Sequence, residues 1–238
     1  MGKSAGNGRM EIRPVGIVRS CYEEKFAVPR QPGLCPSAWA RVECEEEFGN
    51  EDFFRGMEGF SHVWLIFGFH ETVEQGYAPT VRPPRLGGNE RVGVFASRST
   101  FRPNGLGLSL CRMEGLERKA GKMLLHLGGA DLIDGTPVYD VKPYLAYAES
   151  ITDASCGYAA DAPVRKDVHV SSECARAFAE LSARDRSIVK ETLALDPRPA
   201  AHDDTERIYG VRLCGVNVRF RVGKVVEVVE ILTKQGEI

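Results

Sequence analysis

A chain of 238 residues that is 43% hydrophobic and 27% charged carries enough apolar material for one large domain, or one domain with a smaller companion, and long disorder is not expected. No apolar run approaches the ~18 residues that a membrane span needs, and the N-terminal MGKSAGNGRM lacks the hydrophobic core of a signal peptide, so a cytoplasmic protein is expected. With 31 basic against 33 acidic residues and a formal net charge of −2, binding of nucleic acid through bulk charge is disfavoured; any such partner must meet a local patch.

After a small-residue tail over 1–11, the segment Ile12 to Cys21 carries Ile12, Val15, Ile17 and Val18 and reads as a strand. The stretch Val28 to Cys35 and Pro36 holds Pro29, Pro32 and Pro36, which restrict φ and remove backbone donors, so a rigid loop is expected. Alternation over Ala40–Glu45 predicts a strand with one wet face, and 52–56 a short helix. Ser61 to His70 is the most apolar segment and reads as a buried central strand. Further strands are predicted over Arg91–Ser97, Gly107–Leu116, Lys122–Gly128 and Pro137–Val141. Strands joined by short glycine-bearing turns such as Lys119-Ala120-Gly121, without long helices between them, imply an antiparallel barrel or sandwich.

The pattern changes after residue 155. Ser171 to Leu195 predicts two helices, because Ser182 to Asp185 has the form of a capping box in its middle. Ala177, Phe178 and Leu181 share a face of the first; Ile188, Val189, Thr192 and Leu193 share one of the second. Asp196-Pro197-Arg198-Pro199 ends the second helix, and Tyr209–Val222 with Lys224–Leu232 reads as a hairpin turning near Gly223. The expected organisation is therefore a β-barrel over 12–155 with a small α+β unit over 156–238.

The seven cysteines contain no Cys-x-x-Cys pair, and the five histidines show no metal-ligand spacing, so no protein-bound metal is expected. The tract Asn104 to Leu108 lacks the third glycine of a dinucleotide fingerprint. The unusual region is Arg82 to Asn104, with five arginines (82, 85, 91, 98, 102), no lysine and one acid, Glu90. Arginine without lysine points to bidentate recognition of phosphate or carboxylate, although a solvated loop with surface ion pairs has the same composition. Ala130 to Pro137 sets Asp131 and Asp134 three apart before a Gly-Thr-Pro turn, which suits hydrogen bonding to an adenine or ribose but also fits an ordinary Asp-Gly turn. His70-Glu71 ends the apolar strand and could reach a pocket mouth or simply be half-exposed.

Six motifs in order, Gly16-Ile-Val-Arg-Ser20, Pro29-Arg-Gln-Pro-Gly33, Gly59-Phe-Ser-His-Val-Trp64, Arg82-Pro-Pro-Arg-Leu-Gly-Gly-Asn89, Val94-Phe-Ala-Ser-Arg-Ser-Thr-Phe-Arg-Pro-Asn104 and Asp131-Leu-Ile-Asp-Gly-Thr-Pro137, resemble the signatures of the TsaA-like (YaeB, TrmO-type) family. The match covers about residues 12 to 155, and Asp196-Pro-Arg-Pro-Ala200 resembles the C-terminal unit of the bacterial form. The resemblance implies an antiparallel β-barrel methyltransferase, a homodimer, and S-adenosyl-L-methionine bound near the interface. It implies methylation of N6 of the threonylcarbamoylated adenosine at tRNA position 37, next to the anticodon. Carried over by position, cofactor contacts fall on Pro29, Arg30, Gln31, His70, Glu71, Arg98, Leu108, Ala130, Asp131, Leu132 and Ile133. On that reading Arg82, Arg85, Arg102 and Asn104 face the anticodon stem-loop, and Asp134 and Glu71 are candidates to take the amine proton. One departure stands out: the family usually has Arg-Pro-Asn-Pro-Ile-Gly where this chain has Arg102-Pro-Asn-Gly105-Leu106-Gly107, and losing the second proline is expected to loosen that turn. A methyltransferase of a small-molecule acceptor and a non-catalytic RNA-binding module are the competing readings.

Overall fold

The computed structural model describes residues 10–199 and 204–233; most of the expected N-terminal tail and Ala200 of the Asp196 motif lie outside them. Six strands close into a barrel in the order β1-β2-β7-β6-β3-β8. They are β1 (Gly16–Ser20), β2 (Trp39–Cys44), β3 (His62–Gly68), β6 (Leu106–Lys119), β7 (Lys122–Gly128) and β8 (Pro137–Pro143), and every pairing is antiparallel. The apolar run at 61–70 proves to alternate: Val63, Leu65 and Phe67 point into the barrel while Trp64 and Ile66 are half-buried. Val18, Val42, Leu125, Leu127 and Val138 fill the interior with them. Closure removes the sheet edges, and a barrel packed with side chains leaves ligand chemistry to its ends.

Two expectations are corrected. Only Val92–Gly93 of the predicted strand 91–97 is extended, as β5, paired to β4 (Thr80–Val81). The rest turns back, because the Ser97 N–H donates to the Val94 carbonyl (3.2 Å) instead of to a neighbouring strand. Likewise Tyr209–Val222 is two strands, β10 (Ile208–Leu213) and β11 (Val216–Val222). Cys214 (φ 55°) and Gly215 (φ 77°) form the two-residue turn, both in the left-handed region that such hairpins use. Cys-Gly is a weak turn signal, so period-2 alternation ran through it unseen.

The C-terminal sheet has the order β10-β11-β12-β9, with β12 (Val226–Thr233) parallel to β9 (Val168–Val170). A single turn, α1 (Ala146–Glu149), follows the barrel, and α2 (Ala175–Glu180) and α3 (Ala183–Ala194) pack on this sheet. Ser182 caps α3 as its spacing predicted: its Oγ accepts from the Asp185 N–H (3.0 Å) and donates to the Asp185 carboxylate (2.7 Å). Ile188, Val189, Thr192 and Leu193 form its buried face.

The two units share material. Cys21, Tyr22, Cys35 and Ala38, which lie between β1 and β2, are buried in the C-terminal core with Phe220 and Leu193, and Phe26, Ala27 and Val28 pack against it. Tyr22 bridges Ile133 on one side and Leu213 on the other. By packing, the loop that connects the first two barrel strands belongs to the C-terminal unit.

Candidate active site

The candidate residues gather at one end of the barrel, where β1, β3 and β7 end and β2, β6 and β8 begin. Loop 21–38 leaves β1 and enters β2. His70 and Glu71 follow β3, Arg98 and Arg102 precede β6, and Ala130 to Asp134 connect β7 to β8. Antiparallel closure therefore brings together motifs that are about a hundred residues apart in the chain.

Direct contacts join three of these segments. The Arg98 guanidinium donates to the Gln31 side-chain carbonyl, tying the region before β6 to the loop. The Ser109 hydroxyl donates to Asp131 Oδ1 (2.5 Å). Burial pushes the Asp131 carboxyl up to about 6, opposed by the Ser109 hydrogen bond, a backbone N–H and the nearby Arg98 charge. Gly33 N–H donates to the Gly129 carbonyl (2.8 Å) and Gly129 N–H to the Ala38 carbonyl (2.7 Å), so loop 28–38 is laced to the segment that carries Ala130 to Ile133. Lys25 lies over the Phe101 ring, 5.6 Å from its centroid.

Not every candidate can touch a ligand with its side chain. Ala130 and Leu132 are 1% exposed and belong to the barrel core, and Pro29 is buried, so any contact from them comes through the backbone. Leu108, in contrast, is 55% exposed on the outer wall. Asp134 serves the architecture: its carboxylate accepts from the Ser20 N–H (3.1 Å) and from Arg19 (3.3 Å), holding the end of β1. Glu71 is exposed beside His70 (3.4 Å), whose ring reaches the left-handed Gly135. Of the two proposed proton acceptors, Glu71 alone is uncommitted to the backbone.

The arginine-rich region also divides. Arg82 and Arg85 are exposed, and Arg85 Nη1 donates to the Asp161 carbonyl (2.5 Å) in the segment after the barrel. Arg30 is open to solvent near Arg85, and its guanidinium is lowered by desolvation first and then by that like charge, with Asp196 opposing. Arg102 is half-buried and donates to the Ser97 carbonyl (2.9 Å), so it braces the Val94–Ser97 turn instead of standing free toward solvent. Asn104 is exposed in a type II turn: Pro103 takes the second position, Asn104 the left-handed third (φ 66°, ψ −7°), and the Gly105 N–H closes on the Arg102 carbonyl (3.0 Å). Gly105 itself has φ 58°, and its carbonyl accepts from Phe69 N–H (2.8 Å). A proline at 105 has neither that φ nor that donor, so glycine closes the turn in a shape of its own.

Several residues that shape the site carried no motif. Ser109 was marked only by being a hydroxyl inside the apolar run Leu106–Cys111. Glu191 and Arg184 looked like ordinary exposed positions of a helix, yet both reach the loop before β2. Glu191 accepts from the Ser37 N–H (2.9 Å), the Ser37 hydroxyl (2.8 Å) and the Cys35 thiol (3.2 Å). Burial pushes that thiol up to about 12, so it is a protonated donor at neutral pH.

Known proteins match this chain over nearly its whole length. Residues 17–150 match the family model of the tRNA-methyltransferase O N-terminal domain, and 163–234 that of the TrmO C-terminal domain. The chain is 47% identical over 218 residues to the tRNA (adenine(37)-N6)-methyltransferase of Escherichia coli K12, spanning 89% of this chain and 93% of that protein. A Pseudomonas aeruginosa relative, named provisionally as an S-adenosylmethionine-dependent methyltransferase, is 45% identical over 88% of this chain and 91% of its own. The crystal structure of TrmO from Pseudomonas aeruginosa superposes with a TM-score of 0.78 at 38% identity, covering 94% of this chain and 98% of that one.

Proposed function

The chain belongs to the tRNA-methyltransferase O family, and from that premise we propose that it methylates N6 of the threonylcarbamoylated adenosine at position 37 of tRNA. The observation that carries this reading is the convergence of Gln31, Arg98, Asp131 and His70 on one barrel end, in a chain so close to a tRNA (adenine(37)-N6)-methyltransferase.

The donor set suits S-adenosyl-L-methionine. Arg98 offers a guanidinium for its carboxylate, Asp131 an anion for its ammonium or a ribose hydroxyl, and the 130–133 backbone offers polar groups for the adenine. When bound, the cofactor supplies an electrophilic methyl on a sulfonium. This chain's residues have two tasks: holding the acceptor amine in line with that carbon at near-attack distance, and receiving its proton. The amine nitrogen shares its lone pair with the purine, so an acceptor close to its N–H raises its nucleophilicity. Glu71 is the residue we assign to accept that proton, since Asp134 already holds β1.

Arg82 and Arg85 offer the anticodon stem-loop an open basic face at this end, while Arg102 supports the loop behind it. The reading extends to a cytoplasmic homodimer whose interface runs close to the cofactor. Exposed Leu108 and Phe95, 55% and 80% exposed, supply apolar surface for it. Among the described residues no helix is long and apolar enough to cross a membrane.

The test is transfer from labelled cofactor to purified tRNA with and without the threonylcarbamoyl group, followed by nucleoside analysis. Label at N6 of position 37, dependent on that group, is the expected result. Label on no tRNA, with turnover on a small acceptor, would overturn the proposal.

A further inference from the structure

We propose that Glu191, assisted by Arg184, is a positioning residue for the cofactor: from the C-terminal unit it sets the conformation of loop 28–38, which carries Pro29, Arg30 and Gln31. The inference rests on the reading of those residues as cofactor contacts.

Ser37 is gripped on all three of its polar groups by one helix. Glu191 accepts from its N–H (2.9 Å) and from its hydroxyl (2.8 Å), and Arg184 Nε donates to its carbonyl (2.8 Å). Arg184 and Glu191 are seven residues apart on α3, about two turns, and so share a face. The Glu191 oxygen that takes the Ser37 N–H, Oε2, also accepts from the Cys35 thiol (3.2 Å), whose sulfur lies 3.6 Å from the Thr192 hydroxyl. Arg184 in turn makes a two-pronged pair with Glu114 on β6 (2.9 Å for each prong), so the helix is anchored to the barrel wall while it holds the loop. Arg165 donates to the Leu34 carbonyl from the same unit.

The loop's other ties lead into the site. Gln31 meets Arg98, and Gly33 bonds to Gly129, next to the Ala130–Ile133 segment. Loop 28–38 has three prolines and no regular structure of its own, so its shape is set by whatever holds its polar groups. Between Pro32 and Trp39 those holders are Gly129 and Arg112 on the barrel side and, on the other, Arg165 and α3 of a different unit. Removing Glu191 leaves the Ser37 N–H and hydroxyl without their acceptor and takes the nearest acceptor from the Cys35 thiol, so the loop must move to find water.

The experiment uses the full chain and measures cofactor affinity by calorimetry, with kinetics at varied cofactor and saturating tRNA. Glu191→Ala is expected to weaken cofactor binding by about tenfold, the size of a lost buried acceptor. KM for the cofactor should rise with it, while kcat at saturation and tRNA affinity stay within about twofold. Glu191→Gln, which keeps one acceptor oxygen and can donate to the Ser37 hydroxyl, should recover most of the affinity. If Glu191→Ala does not fold, Ser37→Ala decides: it removes one bond of the set, leaves α3 intact and should weaken the cofactor by about threefold. Parental cofactor affinity in a folded Glu191→Ala protein, or in Ser37→Ala where that variant has to decide, overturns the inference. Gln31→Ala and Arg98→Ala separate the two levels. If they lose cofactor affinity and Glu191→Ala does not, the positioning role alone fails; if none of the three does, the site reading itself is wrong.

Discussion

Two loops flank the candidate active site and are held in opposite ways. Loop 28–38 has few charges, and its polar groups are taken by residues far away in the chain: Glu191, Arg184, Arg165 and Gly129. Loop 82–104 is rich in charge and is held mainly by residues close to it in the chain, through Arg91 on Thr80, Arg102 on Ser97, Ser97 on Val94 and Gly105 on Arg102, with longer ties from Arg85 to Asp161 and from Arg98 to Gln31. The first gives up its autonomy for a fixed shape; the second keeps its outer arginines open to solvent. That division suits a small cofactor, which needs a pre-set cradle, and a large polyanion, which needs reachable guanidinium groups.

The contrast can be broken most forcefully at Phe26. Its ring stacks on Tyr209 and Phe220, with centroids 6.3 and 6.4 Å away, and roots the segment that leads into the first loop in the C-terminal core. Phe26→Ala should cost about 3 kcal/mol in urea unfolding and weaken cofactor binding in the protein that remains folded, leaving tRNA affinity little changed. A stability loss without a cofactor effect would show that the loop does not need this root.

Asp131 sharpens the comparison through pH. Because burial raises its carboxyl from the usual 3.8 to about 6, the folded chain binds that proton more tightly than the unfolded chain. The associated stability is full below about pH 4 and is lost as pH rises through about 6. Asp131→Asn should therefore gain about 2 kcal/mol over the parent at pH 7.5, and less at pH 5, while it loses cofactor affinity. A gap between variant and parent that does not change between those pH values would contradict the assignment.

The smallest effects separate the two kinds of arginine in the second loop. Arg102→Ala should cost about 1 kcal/mol and raise hydrogen exchange over residues 94–97, because two carbonyls lose a donor. Arg82→Ala should leave the melting curve unchanged and lower the salt slope of tRNA binding by about one counterion. Equal behaviour of the two variants would erase the distinction between a bracing and a reaching arginine.

Much of this was legible in the chain. Alternation located β2, and apolar, strand-forming runs between glycine-bearing turns located the other barrel strands, with Lys122–Gly128 matching in full; the Ser182–Asp185 spacing located the break between α2 and α3. The motif order carried the family. Less was legible where a short-range pattern had a long-range alternative: Val94–Ser97 looks extended until Arg102 claims its carbonyls, and Cys214-Gly215 looks like strand until both residues turn left-handed.

What the sequence determined by itself is the local part: which residues alternate, which cap, which restrict φ, and where arginine replaces lysine. Those properties depend on neighbours within a few positions, so they are written in one stretch of chain. Only the tertiary structure decided that Asp134 holds β1, that Ala130 and Leu132 face the core, and that a glutamate in the second helix of the C-terminal unit shapes the loop before β2. Barrel closure and the docking of α3 bring residues more than a hundred positions apart within hydrogen-bonding distance, and no periodicity along the chain encodes those meetings.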